Sequence, residues 1–198
     1  ITNGAHFMSF VAPRMRTLLA AYLGIEWEKN LTDAERWQRV QDIPDTILWR
    51  VRYELKQKTM DLVQDNISRH WSKYGSPRMW REELFSRMNP AALLIGFARR
   101  FAPYKRADLL LTDLDRLDRI VNSPHRPVSI VYAGKAHPND EPGKALIRRI
   151  HSMAKEIGTA LPIVFIENYD MSLGAVLTAV SLLGATLALR GDDGTTLP

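Results

Sequence analysis

Three short runs of apolar residues most constrain the fold of this chain. They cover residues 92–97, 128–133 and 162–166, and each is almost continuously apolar and too short for a typical helix. Stretches with helical apolar spacing separate them, at 109–120 and 146–157. Strands that are apolar throughout and alternate with helices are typical of a parallel sheet that is covered on both faces. The sequence therefore predicts a partial Rossmann-like parallel sheet of the α/β class.

The residues before these runs follow a helical pattern. Apolar side chains recur every three or four positions from residue 11 onward, until Asn89-Pro90 ends the pattern. We therefore predict a mainly helical part at 1–90, as the end of one domain and its linker, and an incomplete Rossmann-like part at 91–198. The helical spacing also predicts that two of the tryptophans are core residues and not binding platforms, namely Trp49 and Trp80.

The composition excludes several classes of protein. Of the 198 residues, 45% are hydrophobic and 25% are charged, as in ordinary globular domains. No apolar run approaches the ~18 residues that a membrane span requires, and the first residues show no signal-peptide pattern. The absence of cysteine rules out disulfides, zinc–thiolate sites and a cysteine nucleophile, and it fits a cytoplasmic location. The five histidines are scattered, so no metal site is predicted.

The excess positive charge is concentrated in one segment. Directly after the first predicted strand come four cations with no acid among them, Arg99, Arg100, Lys105 and Arg106. They belong to 27 Lys and Arg residues, and the remaining 23 nearly balance the 22 Asp and Glu residues. Because ligands bind at the carboxyl ends of the strands in an open parallel sheet, this segment predicts a site for one or two phosphate groups. A solvated basic helix start and a nucleic-acid contact remain open as alternatives.

The other two predicted strands also end in polar loops. Gly134, which allows close backbone approach, precedes two further candidate donors to an anion, Lys135 and His137. The sequence favours a structural role for His137, hydrogen-bonded to the following turn. Tyr169 follows the third strand, and Asp170 is predicted to cap the next helix. Three polar loops on one rim of a sheet predict a ligand cleft there.

Three motifs occur in the same order as in a known family. They are GFARRFAPYKRADLL at 96–110, AGKAHPND at 133–140 and FIENYDM at 165–171. Together they resemble the alpha-glucan phosphorylase family in its short bacterial and archaeal form. Residues 1–6 and 42–49 are also similar to that family's middle region, so the resemblance covers residues 1 to about 175.

The resemblance implies half of a glycosyltransferase-B fold, in a fragment of a longer enzyme. It implies an activity that cleaves alpha-1,4-glucan with inorganic phosphate to give glucose 1-phosphate. It also implies pyridoxal 5'-phosphate as the cofactor, used through its phosphate group, and a homodimer in the full-length enzyme. The partners expected from it are an alpha-glucan and phosphate, with no nucleic acid and no membrane.

The resemblance also implies roles for individual residues. Arg99 and Arg100 would contact the substrate phosphate, Lys105 would contact the cofactor phosphate, and Tyr169 would lie beside them in the cofactor pocket. Arg99 and Asp170 differ from the residues of the animal enzymes, which have Lys and Arg at these positions, and both differences are typical of the short subfamily.

The end of the sequence departs from the family pattern. After Leu173 the Gly-Thr-rich segment expected to line the glucose and cofactor site is missing, and the cofactor-anchoring lysine is absent with it. We therefore expect no imine with pyridoxal phosphate and no activity from the isolated chain. Two alternatives remain at this point: a sugar-nucleotide-dependent glycosyltransferase with Arg100 and Lys105 on a diphosphate, and a basic nucleic-acid-binding module.

Overall fold

A computed structural model describes residues 6–70, 78–122, 125, 127–157, 163–166 and 169–180, with the backbone alone at residues 70, 80, 179 and 180. Several features considered above lie outside the described residues: 1–5, the Pro162 start of the third apolar run, Glu167 and Asn168, and the segment after residue 180. The first half of the described chain is helical. Its elements are α1 (Phe7–Phe10), α2 (Pro13–Leu23), α3 (Ala34–Gln38), α4 (Asp45–His70) and α5 (Arg78–Arg87).

The second half contains a parallel sheet. Its strands β1 (Leu93–Ala98), β2 (Val128–Ala133) and β3 (Ile163–Ile166) lie in the order β1–β2–β3. Helix α6 (Leu114–Val121) connects β1 to β2, α7 (Glu141–Ile157) connects β2 to β3, and α8 (Met171–Val180) follows β3. Ala98 pairs with Ala133 and Ala133 with Ile166, so the three strands end at one level. The predicted partial Rossmann-like α/β fold is confirmed, with β1 one residue later than its apolar run.

The two faces of the sheet pack into two different cores, because successive strand residues point to opposite sides. We call one the aliphatic face, since its strand residues pack against α4 and α8; they include Leu94, Val131, Val164 and Ile166. We call the other the aromatic face, since it carries rings and packs against α6 and α7; its residues include Phe97, Tyr132 and Phe165. The sheet is therefore buried on both sides, as its continuously apolar strands predict.

Helix α4 joins the helical half to the sheet. It begins after Pro44, whose carbonyl accepts the amides of Ile47 and Leu48 at 2.9 and 3.1 Å. Val63 in its middle is fully buried in the core of the aliphatic face. The buried Lys56 donates from Nζ to the Ala92 carbonyl oxygen at 2.7 Å, just before β1, and burial lowers the pKa of this lysine. One core thus continues across residue 90, and the domain boundary there stays a prediction.

The prediction that Trp49 is a core residue is wrong. Its side chain is 56% exposed, and the Lys56 Nζ lies 5.4 Å from its ring centroid. Helix α4 turns Val51 toward the core, and residues two positions apart on a helix point about 200° apart. Trp49 therefore falls outside the buried stripe, although its spacing matches an apolar pattern. The side chain of Trp80 lies outside the described part of the chain. Among the helices that are described, none combines the length and the apolar content needed to cross a membrane.

Candidate anion-binding site

The loop after β1, residues 99–108, which we call the cation loop, is fastened to the loop after β2. The Arg99 amide donates to the Ala133 carbonyl at 3.2 Å, and the Phe101 amide donates to the Lys135 carbonyl at 3.0 Å. Between these two bonds lies Gly134, where a Cβ would collide with the Arg99 carbonyl oxygen. The close backbone approach predicted at Gly134 is thus confirmed, and it places the first two polar loops side by side.

Phe101 anchors the cation loop in the core of the aromatic face. Its side chain is 0% exposed, and its ring centroid lies 5.2 Å from that of Phe97 and 5.4 Å from that of Phe165. Its carbonyl oxygen approaches Gly143 in the first turn of α7, where a Cβ would come within 2.5 Å of it. Asp140 caps that turn by accepting the Gly143 amide at 2.8 Å. One apolar residue among cations therefore ties the loop to both the sheet and a helix.

The cations themselves face solvent. Arg100 and Arg106 are exposed, and Arg99 and Lys105 are partly exposed. Lys105 ends a short 3-10 turn and places its Nζ 4.3 Å from the ring centroid of Tyr104. A hydrogen bond with Arg100 lowers the pKa of the Tyr104 hydroxyl, and the charge of Lys105 lowers it further. Arg100, Tyr104 and Lys105 thus form one positively charged group that an anion can reach from solvent.

The loop after β2 contributes one exposed cation and one structural histidine. His137 accepts the Asn139 amide at Nδ1, at 3.2 Å, which is the turn contact that the sequence favours. Lys135 is exposed, and its charge contributes to lowering the pKa of Asp170 beyond β3. The larger cause of that lowered pKa is the Leu173 amide, which donates to Asp170 Oδ1 at 2.9 Å. The predicted capping role of Asp170 is therefore confirmed.

Tyr169 connects the third loop to the end of β1. Its hydroxyl donates to the Ala98 carbonyl oxygen at 3.4 Å, one residue before the cation loop. The side chain passes over Gly174 in α8, where a Cβ would come within 2.7 Å of the Tyr169 hydroxyl oxygen. Burial raises the pKa of Tyr169, and the charge of Asp170 adds to the effect. The hydroxyl consequently stays protonated near neutral pH and keeps its capacity to donate.

Hydrogen bonds thus bring together the three polar loops that the sequence placed on one rim. Arg99, Arg100 and Lys105 lie on the cation loop. The Lys135 carbonyl accepts a backbone hydrogen bond from that loop, and the Tyr169 hydroxyl contacts Ala98, the residue just before it. Phe101 and Gly143, which support the loop, were not predicted from the sequence. The available signal for Phe101 was that it is the one bulky aromatic residue without a polar group between the two pairs of cations. A parallel α/β sheet with cations at its carboxyl edge defines a Rossmann-like protein that is suited to a phosphate-bearing ligand.

Comparison with known proteins names the family. No protein-family model matches the chain. The chain is 38% identical over 179 residues to the maltodextrin phosphorylase of Thermococcus litoralis, a match that covers 90% of this chain and 21% of that protein. It is 38% identical over 172 residues to the glycogen phosphorylase of Aquifex aeolicus, with 86% of this chain and 25% of that protein covered. It is 32% identical over 177 residues to the glycogen phosphorylase of Mycobacterium tuberculosis, with 89% of this chain and 20% of that protein covered.

These matches show that the chain belongs to the alpha-glucan phosphorylase family. The relatives are archaeal and bacterial, and the identity extends over about nine-tenths of the chain. The family predicted from the three motifs is confirmed. The chain spans only about a fifth to a quarter of the length of the curated relatives it matches.

Proposed function

We propose that this chain supplies the phosphate-binding part of an alpha-glucan phosphorylase, a glycosyltransferase that cleaves alpha-1,4-glucan with inorganic phosphate to release glucose 1-phosphate. The observation that carries the proposal is the pair of backbone hydrogen bonds from Arg99 and Phe101 to the loop after β2. These bonds hold the cation loop at the carboxyl edge of the sheet. The names of the relatives, maltodextrin phosphorylase and glycogen phosphorylase, support an alpha-glucan and phosphate as the partners.

In this proposal Arg99 and Arg100 bind the substrate phosphate. Their guanidinium groups offer planar pairs of N–H donors that match two phosphate oxygens. An oxygen of hydrogen phosphate attacks the anomeric carbon while the glycosidic carbon–oxygen bond breaks, and the leaving oxygen takes up the proton that the phosphate carried. Cations that are already in place stabilise the charge that moves between these oxygens, since they do not have to reorganise during the reaction.

Lys105 and Tyr169 would hold the phosphate group of pyridoxal 5'-phosphate. The ammonium group of Lys105 is a donor, and the protonated hydroxyl of Tyr169 would become one by exchanging its long 3.4 Å bond to the Ala98 carbonyl for a phosphate oxygen, so this donor set fits a phosphate dianion. When bound, the cofactor would supply a second phosphate as an acid–base group beside the substrate phosphate. Two dianions held close together repel each other, and the clustered cations of the loop offset that repulsion. Lys56 is also described in the structure, but it is buried and its Nζ donates to the Ala92 carbonyl, so it is not part of this donor set.

Titration of inorganic phosphate into the isotope-labelled 198-residue chain tests the site. We expect saturable shifts of the Arg99, Arg100 and Lys105 resonances at constant ionic strength, because these groups would bind the anion. Arg100→Gln and Lys105→Gln should each weaken the binding. Lys58→Gln, which removes an exposed lysine from α4, is the matched control and should leave it unchanged. The absence of any shift in the cation loop would contradict the proposal.

An activity assay tests the wider assignment. We expect no glucose 1-phosphate from the 198-residue chain with maltodextrin and phosphate, because the chain spans only 21% to 25% of its two relatives at 38% identity. A gel shift at two salt concentrations tests the alternative of nucleic-acid binding. Tight binding that weakens steeply with salt and depends on Arg100 and Lys105 would favour that alternative.

A further inference from the structure

The cation loop contains an unfavourable backbone turn. Arg106 has a φ of 50°, and it is the one non-glycine residue with positive φ in the described part of the chain. Side chains with a Cβ rarely adopt this left-handed conformation. The Arg106 amide donates to the Pro103 carbonyl at 3.0 Å, and its carbonyl accepts the Leu109 amide at 3.1 Å. Both of these bonds lie within the loop itself, whose cations face solvent.

A buried hydroxyl from the sheet contacts the next residue. Tyr132, on the central strand β2, is 0% exposed, and its hydroxyl donates to the Ala107 carbonyl oxygen at 2.9 Å. Its ring lies 5.6 Å from that of Phe97, within the core that also holds Phe101. Burial raises the pKa of Tyr132, and the charge of Asp108 adds to this, so the hydroxyl remains a donor across the neutral range.

The residue after Ala107 is held from another direction. Asp108 Oδ2 lies 3.2 Å from an Nη atom of Arg149 on α7. The cation loop is therefore fixed at its start by the Arg99 and Phe101 amides and at its end by Tyr132 and Arg149. Lys105 and Arg106 lie on the stretch between these anchors, immediately before the Ala107 carbonyl. Of the end anchors, only the Tyr132 bond is shielded from solvent.

We propose that Tyr132 is a positioning residue for the phosphate site: its hydroxyl holds the left-handed turn at Arg106 and so keeps Lys105 and Arg106 in place for an anion. The proposal rests on the function proposed above. Without this hydroxyl the Ala107 carbonyl loses its buried donor, and the unfavourable turn is free to relax. The two cations then sample more positions, and phosphate binding must order them at a cost in affinity.

The substitution Tyr132→Phe tests this, because it removes the hydroxyl and keeps the ring. We expect amide hydrogen exchange to become faster at Arg106 and Leu109, and the Kd for inorganic phosphate to rise by about fivefold, the factor that one typical buried hydrogen bond represents. Thr59→Val is the matched control. It removes another fully buried hydroxyl, which donates to the Leu55 carbonyl at 2.8 Å, but within helix α4, whose Met60 and Val63 belong to the core of the aliphatic face. It should leave the cation loop and the phosphate affinity unchanged.

The exchange measurement needs no phosphate, so it separates the two proposals. If the unaltered chain binds no phosphate, the proposed function fails, and with it the positioning role in binding, even where the turn loosens as expected. If phosphate binds but Tyr132→Phe changes neither the exchange at Arg106 and Leu109 nor the affinity, the positioning role alone is overturned. Faster exchange throughout the sheet, equal to that of Thr59→Val, would also overturn it, because that pattern reports general destabilisation.

A measurement on the unaltered protein covers the case in which Tyr132→Phe does not fold. If the hydroxyl holds the state of the loop that binds, phosphate must in turn stabilise that state, since the coupling between two such events is reciprocal. Saturating inorganic phosphate should then slow amide exchange at Arg106 and Leu109 by about fivefold. Exchange at these two amides that does not respond to bound phosphate would overturn the proposal.

Discussion

The two faces of the sheet are built from different side chains, and they support different parts of the molecule. The aliphatic face packs branched residues against α4 and α8, and it meets the site through the Ala133 carbonyl, which accepts the Arg99 amide, and through Tyr169. The aromatic face stacks the rings of Phe97, Phe101, Tyr132 and Phe165, and one of these rings belongs to the cation loop itself.

This difference indicates how a cationic loop is kept in one geometry. Branched aliphatic residues of similar volume replace one another at small cost, so they specify a packed scaffold loosely. Aromatic rings have few rotatable bonds and defined pairwise geometries, and Tyr132 adds a directed hydrogen bond. We infer that the aliphatic face mainly stabilises the fold, whereas the aromatic face also positions the site.

The largest expected effect comes from emptying a buried position on each face. Phe101→Ala should destabilise the chain by about 3–5 kcal/mol and Leu177→Ala, on α8 in the core of the aliphatic face, by about 2–5 kcal/mol, because both side chains are fully buried. Urea unfolding measures both. Only the Phe101 substitution should also abolish phosphate-induced shifts, and Phe101→Leu, which keeps more of the volume, serves where the alanine variant is too unstable. Equal weakening of phosphate binding by Leu177→Ala would break the distinction between the faces.

Much of the fold could be predicted from the sequence because its strands are continuously apolar. The runs at 92–97 and 128–133 match β1 and β2 to within one residue, since a buried parallel strand needs apolar residues on both sides. The partner of each face could not be predicted in the same way. Periodicity shows that α4 has an apolar stripe, but it does not show that this stripe packs on the sheet. Trp49 was misassigned for a different reason: it is apolar and lies close to the stripe in the sequence, but it is turned away from Val51 on the helix.

The candidate site was predicted through charge, and its supports were missed because they carry none. The four cations and Tyr169 stand out in a sequence, and Gly134 does so by its position after a strand. The roles of Phe101, Gly143 and Tyr132 depend on which backbone atom approaches each of them. Tyr132 contacts Ala107 and Gly143 contacts Phe101, and the residues in each of these pairs are 25 or more positions apart. No local pattern contains that information.

The next largest effect is expected from replacing glycine by alanine at two positions, Gly134 beside the aromatic face and Gly174 on α8 beside the aliphatic face. In Gly134→Ala the new Cβ meets the Arg99 backbone and the Phe101 ring, neither of which can move freely, so we expect a loss of about 3 kcal/mol. In Gly174→Ala the nearest atoms belong to the Tyr169 side chain, and the tightest contact is with its hydroxyl oxygen. That side chain can shift, and alanine is a better helix former than glycine by about 1 kcal/mol, so the net change should be small. Denaturant unfolding of both variants measures the difference, and a cost at Gly174 as large as that at Gly134 would contradict this account.

The smallest expected effect concerns the aspartate that begins α8 on the aliphatic face. Hydrogen bonds from the Leu173 amide and the Ser172 hydroxyl hold the pKa of Asp170 below its ordinary value of 3.8. A carboxyl with a lowered pKa in the folded state stabilises the fold above the unfolded pKa, and this contribution is lost as the pH falls through the folded pKa. Stability should therefore decline from about pH 4 downward, in part because of this residue.

Asp170→Asn keeps a capping oxygen that does not titrate, so urea unfolding at pH 6 and pH 3 should show a smaller acid-induced loss of stability in this variant. An identical loss in both proteins would show that the cap on the aliphatic face contributes nothing to the acid sensitivity of the chain.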